Sequence, residues 1–186
     1  MNDRERLRDL LIQRSLKIGD FTLASGARSR FYIDARRTTM SAEGQYLTGR
    51  VCLDLLQVAG IQATHVGGLT MGADPVAYAI AHASWIADRG IDAFSVRKAA
   101  KAHGTGQRIE GGLPSGAPVV VVEDSMTSGA SALEAVQAVE AHGSNPAVVL
   151  TLVDREEGGR QRVEEAGYTL LSVFTAQELL AVVDQP

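Results

Sequence analysis

Cysteine, aromatic residues and long apolar runs are all scarce in this 186-residue sequence. Cys52 is the one cysteine, which excludes an intrachain disulfide and favours a reducing compartment, so we expect a cytoplasmic protein. No apolar run approaches the roughly 20 residues of a membrane-spanning helix. The charged segment 1–8 is not followed by the apolar core of a signal peptide. We therefore expect neither a membrane partner nor a secretory leader.

Two common nucleotide-binding signatures are also missing. The chain has no G-x-x-x-x-G-K segment, which excludes a Walker A loop, and no G-x-G-x-x-G follows a predicted strand. The formal net charge of -4 argues against bulk electrostatic attraction to nucleic acid, so we expect no nucleic-acid partner. Any anion site must be built from local basic residues and backbone amides.

The patterned part of the sequence alternates between β-type and α-type segments. We predict strands over 64–69, 93–96, 118–122, 147–153 and 168–173. We predict helices over about 41–59, from 74 onward, around 133–139 and over 176–183. Ser41 and Asp74 are the expected N-caps of the first two. This alternation predicts an α/β fold, one domain over 1–186, with a mostly parallel sheet covered by helices on both faces.

The N-terminal segment is patterned differently. Leu7, Leu10 and Leu11 form an apolar stripe among charged residues, which predicts an amphipathic first helix. Segments 21–23 and 30–33 predict two short strands around a Ser-Gly turn.

The most informative segment is 119–131, in which four valines precede Glu123, Asp124 and a Thr-Ser-Gly turn. The valines predict a buried strand that ends at Val122, after which the chain turns into a helix. Amides and hydroxyls at a helix N-terminus bind phosphate, while carboxylates accept hydrogen bonds from sugar hydroxyls or hold a hydrated cation. Two acids alone would suit an ordinary βα turn, but the full pattern favours a sugar-phosphate site.

A second charged segment lies in the long polar loop predicted over 97–116. Within seven residues it carries Arg97, Lys98, Lys101 and His103, and two glycines follow. Such a loop can close over a polyanion and exclude water. A charge run alone is usually a solvated surface loop, although the length of this one favours a function.

Arg155 lies two residues after the predicted strand 147–153, where the loops of a parallel sheet gather. A guanidinium at that position can bind a carboxylate with two parallel hydrogen bonds. An exposed arginine beside Glu156 and Glu157 is equally compatible with the residues alone.

Taken together, these segments resemble the orotate phosphoribosyltransferase family. The resemblance covers nearly the whole chain in order, and its matching segments are 19–26, 31–34, 67–75, 96–106, 123–131 and 154–155. The acidic turn is shared by the wider type I phosphoribosyltransferase group. The Arg-Lys-x-x-Lys-x-His spacing of the basic loop points to the orotate family.

The resemblance implies a phosphoribosyltransferase-type parallel β-sheet flanked by helices, with a small N-terminal hood contributed mainly by residues 1–40. It implies transfer of the 5-phosphoribosyl group from phosphoribosyl diphosphate to orotate, giving orotidine 5′-monophosphate and diphosphate in de novo pyrimidine biosynthesis. Mg²⁺ would be the cofactor, held mainly through the diphosphate of the substrate. A homodimer whose basic loop is shared across subunits is also implied.

Roles for individual residues follow from the same resemblance. The catalytic residues would be Lys101, His103, Arg97 and Asp124. Phosphoribosyl diphosphate would be bound by Arg97, Lys98, Lys101, His103, Glu123, Asp124, Ser125, Met126, Thr127, Ser128, Gly129, Ala130 and Ser131. Orotate would contact Thr127 and Arg155.

Two positions depart from the family pattern. Some members have a lysine where this chain has Met71, and some have one where it has Ala24. Arg28 and Arg30 are close to Ala24 in the sequence and could compensate. Diphosphate binding would then depend more on the backbone amides of 68–72 and on the basic loop.

Two other functions remain open from the sequence. A phosphoribosyltransferase for another base, such as a purine, is compatible with the acidic turn, although Arg155 and the basic loop favour an acidic pyrimidine. A non-catalytic regulator that senses phosphoribosyl diphosphate is also compatible, but no helix-turn-helix pattern or further basic stripe accompanies the site.

Overall fold

The computed structural model describes residues 1–22, 28–99 and 108–183. Within these ranges the central sheet has the strand order β5-β4-β3-β6-β7-β8. Its strands are β3 (His65–Leu69), β4 (Asp92–Val96), β5 (Ile109–Glu110), β6 (Pro118–Met126), β7 (Asn145–Asp154) and β8 (Leu170–Thr175). Neighbouring strands are parallel except β4 and β5, which pair antiparallel at one edge. The expected mostly parallel α/β sheet is confirmed.

Helices flank this sheet. They are α1 (Asp3–Arg14), α2 (Arg36–Thr39), α3 (Ala42–Val58), α4 (Ala73–Ile86), α5 (Ala130–Ala141), α6 (Gly159–Glu165) and α7 (Ala176–Val183). Ser41 caps α3 as expected, because its hydroxyl accepts a hydrogen bond of 3.1 Å from the amide of Gly44. Among the residues that the structure describes, no helix combines the length and apolarity needed to cross a membrane.

The alternating side chains of β6 explain why both faces of the sheet are covered. Val120 and Val122 are buried in a core that includes residues of α1, α3 and α4. Val119 and Val121 are buried in a second core, together with residues of α5. Successive side chains of a strand point to opposite faces, so a run of buried valines requires a layer of helices on each side.

The N-terminal segment adds a separate antiparallel hairpin, formed by β1 (Leu16–Thr22) and β2 (Arg28–Ile33). The apolar stripe predicted for α1 is confirmed, since Leu7 and Leu11 are fully buried in the core shared with α3. The predicted strand end at 23 and the Ser-Gly turn lie outside the described residues. The end of β2 borders the cleft described below, as a hood over the sheet would.

Two expectations about element ends are wrong. β6 does not end at Val122 but continues to Met126, because β7 pairs with it as far as Asp154. Asp74 is not the N-cap of α4, since that helix begins at Ala73 and has no side-chain cap. The Asp74 carboxylate instead accepts hydrogen bonds from Thr70 and Ser95.

Three short elements were not predicted from the sequence. They are α2, α6 and β5, which contain four, seven and two residues. Segments this short contain too few residues for a hydrophobic period to be recognised. The two-residue β5 interrupts the long polar loop predicted over 97–116.

β3 and β6 divide the central sheet into two halves that extend in opposite directions. From β3 the chain proceeds through β4 to β5, and from β6 it proceeds through β7 to β8. β3 pairs with β6 only where His65–Gly67 lie opposite Val119–Val121, so pairing stops beyond Val121. Open α/β sheets bind ligands at such a switch point, outside the carboxyl ends of the strands.

Candidate active site

A cleft of about 440 Å³ opens at this switch point. Its walls are the turn after β3, the second half of β6, the turn into α5 and the end of the N-terminal hairpin. Lys98 after β4 and Arg155 after β7 also border it. We call this space the switch-point cleft.

Glu123 and Asp124 are adjacent in β6, and both border the switch-point cleft. Because β3 does not pair with this part of β6, the space beside the strand is open to both side chains. Glu123 Oε2 and the Ser125 hydroxyl are buried and have no hydrogen-bond partner among the described residues. Buried polar atoms without partners are unfavourable, so this part of β6 is suited to a ligand that supplies them.

Burial governs the ionisation of these two acids. It raises the pKa of Glu123 to about 8, and the neighbouring Asp124 carboxylate adds to the shift. Burial also raises the pKa of Asp124, an effect opposed by a backbone hydrogen bond at Ser125 and by the positive charge of Arg36. The raised pKa favours the protonated form of Glu123 at neutral pH, and a protonated carboxyl can donate as well as accept a hydrogen bond.

The turn over 127–131 leads into α5 and forms the N-terminal end of that helix. Gly129 is the N-cap residue with a φ of 72°, and no side chain caps the helix. A Cβ on Gly129 would lie 3.0 Å from the carbonyl oxygen of Gly159, so both the backbone angle and the space favour glycine. The first amides of a helix lack intrahelical acceptors and can bind an anion. Thr127 and Ser131 border the cleft and add hydroxyl groups.

The turn after β3 forms the facing wall. Asp74 anchors it by accepting hydrogen bonds from Thr70 Oγ1 at 2.5 Å and from Ser95 Oγ at 2.7 Å. Gly72 passes close to the acidic pair, because a Cβ there would lie 2.4 Å from Oδ1 of Asp124. The absence of a side chain at Gly72 therefore allows the backbone of this turn to approach the carboxylate.

Arg155 is buried at the end of β7, with 5% of its side chain exposed. Its guanidinium carbon lies 5.2 Å from the centre of the Phe31 ring, and Nη2 lies 2.7 Å from Glu157 Oε1. Glu157 therefore forms an ion pair with Arg155, while Nε and Nη2 are buried and make no hydrogen bond within the described part of the chain. A buried guanidinium beside an aromatic ring is suited to a flat ligand that bears a carboxylate. The exposed arginine that the sequence also allowed is excluded.

The end of the hairpin contributes residues to which sequence reasoning gave no role. Tyr32, Asp34 and Arg36 border the cleft. Arg36 Nε donates a 2.8 Å hydrogen bond to Asp34 Oδ1, and this bond lowers the pKa of Asp34. Segment 31–34 was among the matching segments, but a sequence pattern does not show that the hairpin end borders the cleft.

The structure brings many of the expected site residues to the switch-point cleft. They are Lys98, Glu123, Asp124, Ser125, Thr127, Ser131 and Arg155. Ser128, Gly129 and Ala130 complete the turn between two of them. Lys101 and His103 lie outside the described residues, as does Ala24.

Two expected residues are placed differently. The Met126 side chain is fully buried in the core beside α5, so only its backbone is available to a ligand. Arg97 does not border the cleft of its own chain, and its Nη1 lies 3.3 Å from Glu110 Oε1. A role for Arg97 at this cleft therefore requires movement of the loop or a second subunit.

Carboxyl groups at the cleft are chemically suited to a magnesium ion that also binds substrate. In the described ranges, no group of three or more His, Cys, Asp or Glu side chains is arranged to hold a metal ion. Mg²⁺ is commonly bound by one or two carboxylates together with substrate phosphates and water. Asp124 would be the carboxylate to bind such an ion, Glu123 would add its unpartnered Oε2 only when ionised, and Asp34 is already hydrogen-bonded to Arg36.

Sequence comparison shows relatives along almost the entire chain. An orotate phosphoribosyltransferase of Aquifex aeolicus is 45% identical over 183 residues, which cover 97% of this chain and 99% of the relative. An orotate phosphoribosyltransferase of Streptomyces avermitilis is 49% identical over 162 residues, covering 87% and 88%. The chain belongs to the orotate phosphoribosyltransferase family. As a member of this family it is a pentosyltransferase. No protein-family model matches it.

Solved structures agree with this membership. Mycobacterium tuberculosis orotate phosphoribosyltransferase in complex with Fe(III) dicitrate has a TM-score of 0.84 at 45% identity, covering 96% of this chain and 99% of that one. The same enzyme in complex with phosphoribosyl diphosphate has a TM-score of 0.81 at 40% identity, with the same coverage. Adenine phosphoribosyltransferase from Leishmania tarentolae, at 15% identity and a TM-score of 0.66, shows a shared fold alone.

The pKa of Glu123 predicts a pH-dependent stability. Its ordinary value is 4.5 and burial raises it to about 8, so between these values the folded state keeps a proton that the unfolded state releases. The free energy of unfolding should therefore fall as pH rises from about 5 to about 8, by up to roughly 1.4 kcal/mol per pH unit. Glu123→Gln should remove this part of the dependence.

Denaturant unfolding at several pH values measures this effect. Glu165→Gln, at an exposed position of α6, is the matched control and should retain the wild-type slope. A Glu123→Gln variant with the same slope as wild type would contradict the burial of a protonated Glu123.

Proposed function

We propose that this chain transfers the 5-phosphoribosyl group from phosphoribosyl diphosphate to orotate, giving orotidine 5′-monophosphate and diphosphate in pyrimidine biosynthesis. The observation that supports this most is the convergence of three features at the switch-point cleft. They are the buried acids of β6, the uncapped N-terminus of α5 and the buried guanidinium of Arg155. These features complement a ribose diol, a phosphate and a carboxylated base.

The acids and the turn into α5 hold the phosphoribosyl group. Asp124 accepts hydrogen bonds from ribose hydroxyls, and the protonated Glu123 donates or accepts one. The amides and hydroxyls of 127–131 bind the 5′-phosphate, since the dipole of α5 adds a favourable interaction with negative charge. Orotate binds at the opposite end, with its carboxylate on Arg155 and its ring near Phe31. Thr127 lies between the two ligands.

The reaction breaks the C1–O bond to diphosphate and forms a C1–N bond to the base. Positive charge develops on the ribose ring, as in glycoside hydrolysis. Lys98 at the cleft, together with Arg97, Lys101 and His103 of the basic loop, stabilises the negative charge of the departing diphosphate. Mg²⁺, when bound to the diphosphate, neutralises part of that charge. Asp124 orients the ribose relative to the base, and this positioning of the reactants lowers the activation barrier.

We also propose a homodimer in which the basic loop of one subunit contributes residues to the cleft of its partner. α4 exposes Tyr78, Trp85 and Ile86, and 77% of Trp85 is accessible. An exposed apolar surface of this kind is typical of a protein interface. α4 begins at the turn that borders the cleft and ends at Trp85 and Ile86, so a second copy that covers the helix from Ile86 back to Tyr78 would extend toward the site. Arg97, which does not border its own cleft, could then contact the partner's substrate. A cytoplasmic location remains a prediction.

Loss of orotate absorbance in the presence of phosphoribosyl diphosphate and Mg²⁺ tests the proposed reaction. We expect activity with orotate and none with adenine in its place.

Lys101→Ala should lower kcat by about a hundredfold or more without changing the melting temperature, because the leaving group loses one cation that stabilises it. Arg162→Ala, at an exposed position of α6, is the control. Wild-type protein that consumes no orotate would refute the function.

Light scattering after size-exclusion chromatography tests the dimer. The 19.7 kDa chain should elute with the mass of two copies, and Trp85→Glu should yield monomers because it places a charge in the apolar contact. Val58→Glu changes an even more exposed valine at the end of α3 and should remain dimeric. A monomeric wild type, or a dimeric Trp85→Glu variant, would contradict this interface.

A further inference from the structure

The hairpin side of the switch-point cleft carries a cation that the mechanism above does not use. Arg36 is the first residue of α2 and borders the cleft together with Tyr32 and Asp34. It also borders a shallow surface pocket that contains Met71, the exposed side chain of the turn after β3. Arg36 therefore lies where the cleft meets that turn.

The Arg36 side chain is oriented, yet most of its donors are unused. Its Nε donates to Asp34 Oδ1 at 2.8 Å, which holds one edge of the guanidinium. Its side chain is 45% exposed, and no acceptor for its Nη1 or Nη2 is present among the described residues. A guanidinium has five N–H donors in a planar fork, so four remain available to a ligand.

Arg36 and Asp124 border the same cleft, and their charges interact. The positive charge of Arg36 acts to lower the pKa of Asp124, and the Asp124 carboxylate in turn contributes to raising the pKa of Arg36. The main cause of the raised pKa of Arg36 is its hydrogen bond to Asp34. Arg36 is therefore close enough to interact with a group that lies beside Asp124.

The turn after β3 has no cation of its own, since its sequence is Leu69-Thr70-Met71-Gly72-Ala73. Of the described cations that border the cleft, Arg155 is beside Phe31 at the expected base position. This leaves Lys98 and Arg36 to face an anion that lies between the turn and Asp124.

We propose that Arg36 binds the diphosphate of the substrate and supplies from α2 the positive charge that the turn after β3 lacks. This inference rests on the proposed function and deepens it. The free Nη groups contact phosphate oxygens through charge-assisted hydrogen bonds, and Asp34 keeps the guanidinium directed into the cleft. The developing charge of the leaving group lies on the same oxygens, so Arg36 affects both binding and turnover.

Calorimetric titration with Mg²⁺ and three ligands tests the proposal: phosphoribosyl diphosphate, inorganic diphosphate and ribose 5-phosphate. Arg36→Gln should weaken binding of the first two by at least about tenfold, the loss expected for a charge-assisted contact. It should change ribose 5-phosphate binding less than twofold, because that ligand lacks the diphosphate. Arg36→Lys should restore part of the affinity, since it keeps the charge but not the fork.

Arg37→Gln is the matched control, because Arg37 follows directly in α2 and does not border the switch-point cleft. It should bind all three ligands as wild type does. Equal affinities of the Arg36→Gln and Arg37→Gln variants for diphosphate would overturn the proposal, and so would an equal loss of ribose 5-phosphate binding. A wild type that binds diphosphate but consumes no orotate would refute the proposed function alone. A wild type that binds neither diphosphate ligand would overturn both.

Discussion

The burial of two adjacent carboxyl groups at the switch point is the constraint on which the rest of the site depends. Glu123 and Asp124 lie within a central strand, where burial opposes their ionisation. The sheet accommodates them because β3 stops pairing with β6 beyond Val121 and leaves the switch-point cleft beside them. Burial of these carboxyl groups is unfavourable for the protein alone. It nevertheless places acceptor oxygens where a ligand with hydroxyl groups can bind. Perturbed acids in a cleft are typical of functional sites.

A chain with a net charge of -4 must build any anion site locally, and the cations that border the switch-point cleft come from separate elements. Arg36 comes from α2, Lys98 follows β4 and Arg155 follows β7. Each position depends on a different part of the fold. The proposed site for a ligand with several negative charges is therefore complete only when the hairpin and both halves of the sheet are packed together. The backbone amides of α5 add to this set without adding a charged side chain.

Much of the central sheet could be predicted from the sequence, because its strands and longer helices have clear hydrophobic periods. The buried valines of β6 and the N-cap Ser41 are local features that a pattern reveals. The continuation of β6 through Glu123 and Asp124 could not be predicted, since it depends on pairing with β7, a nonlocal contact. The position of Arg36 at the cleft was missed for a similar reason: it requires the hairpin to be placed against the sheet. Burial of Arg155 likewise became evident only in three dimensions.

A crystal structure with phosphoribosyl diphosphate and Mg²⁺ tests most directly whether the buried acids are the ribose site. We predict ribose hydroxyls within about 3 Å of the carboxyl oxygens of Glu123 and Asp124. The 5′-phosphate should lie on the amides of 127–131, and the diphosphate should lie between the turn after β3 and Lys98. A ribose whose hydroxyls contact neither acid, or a 5′-phosphate bound away from the N-terminus of α5, would contradict this assignment.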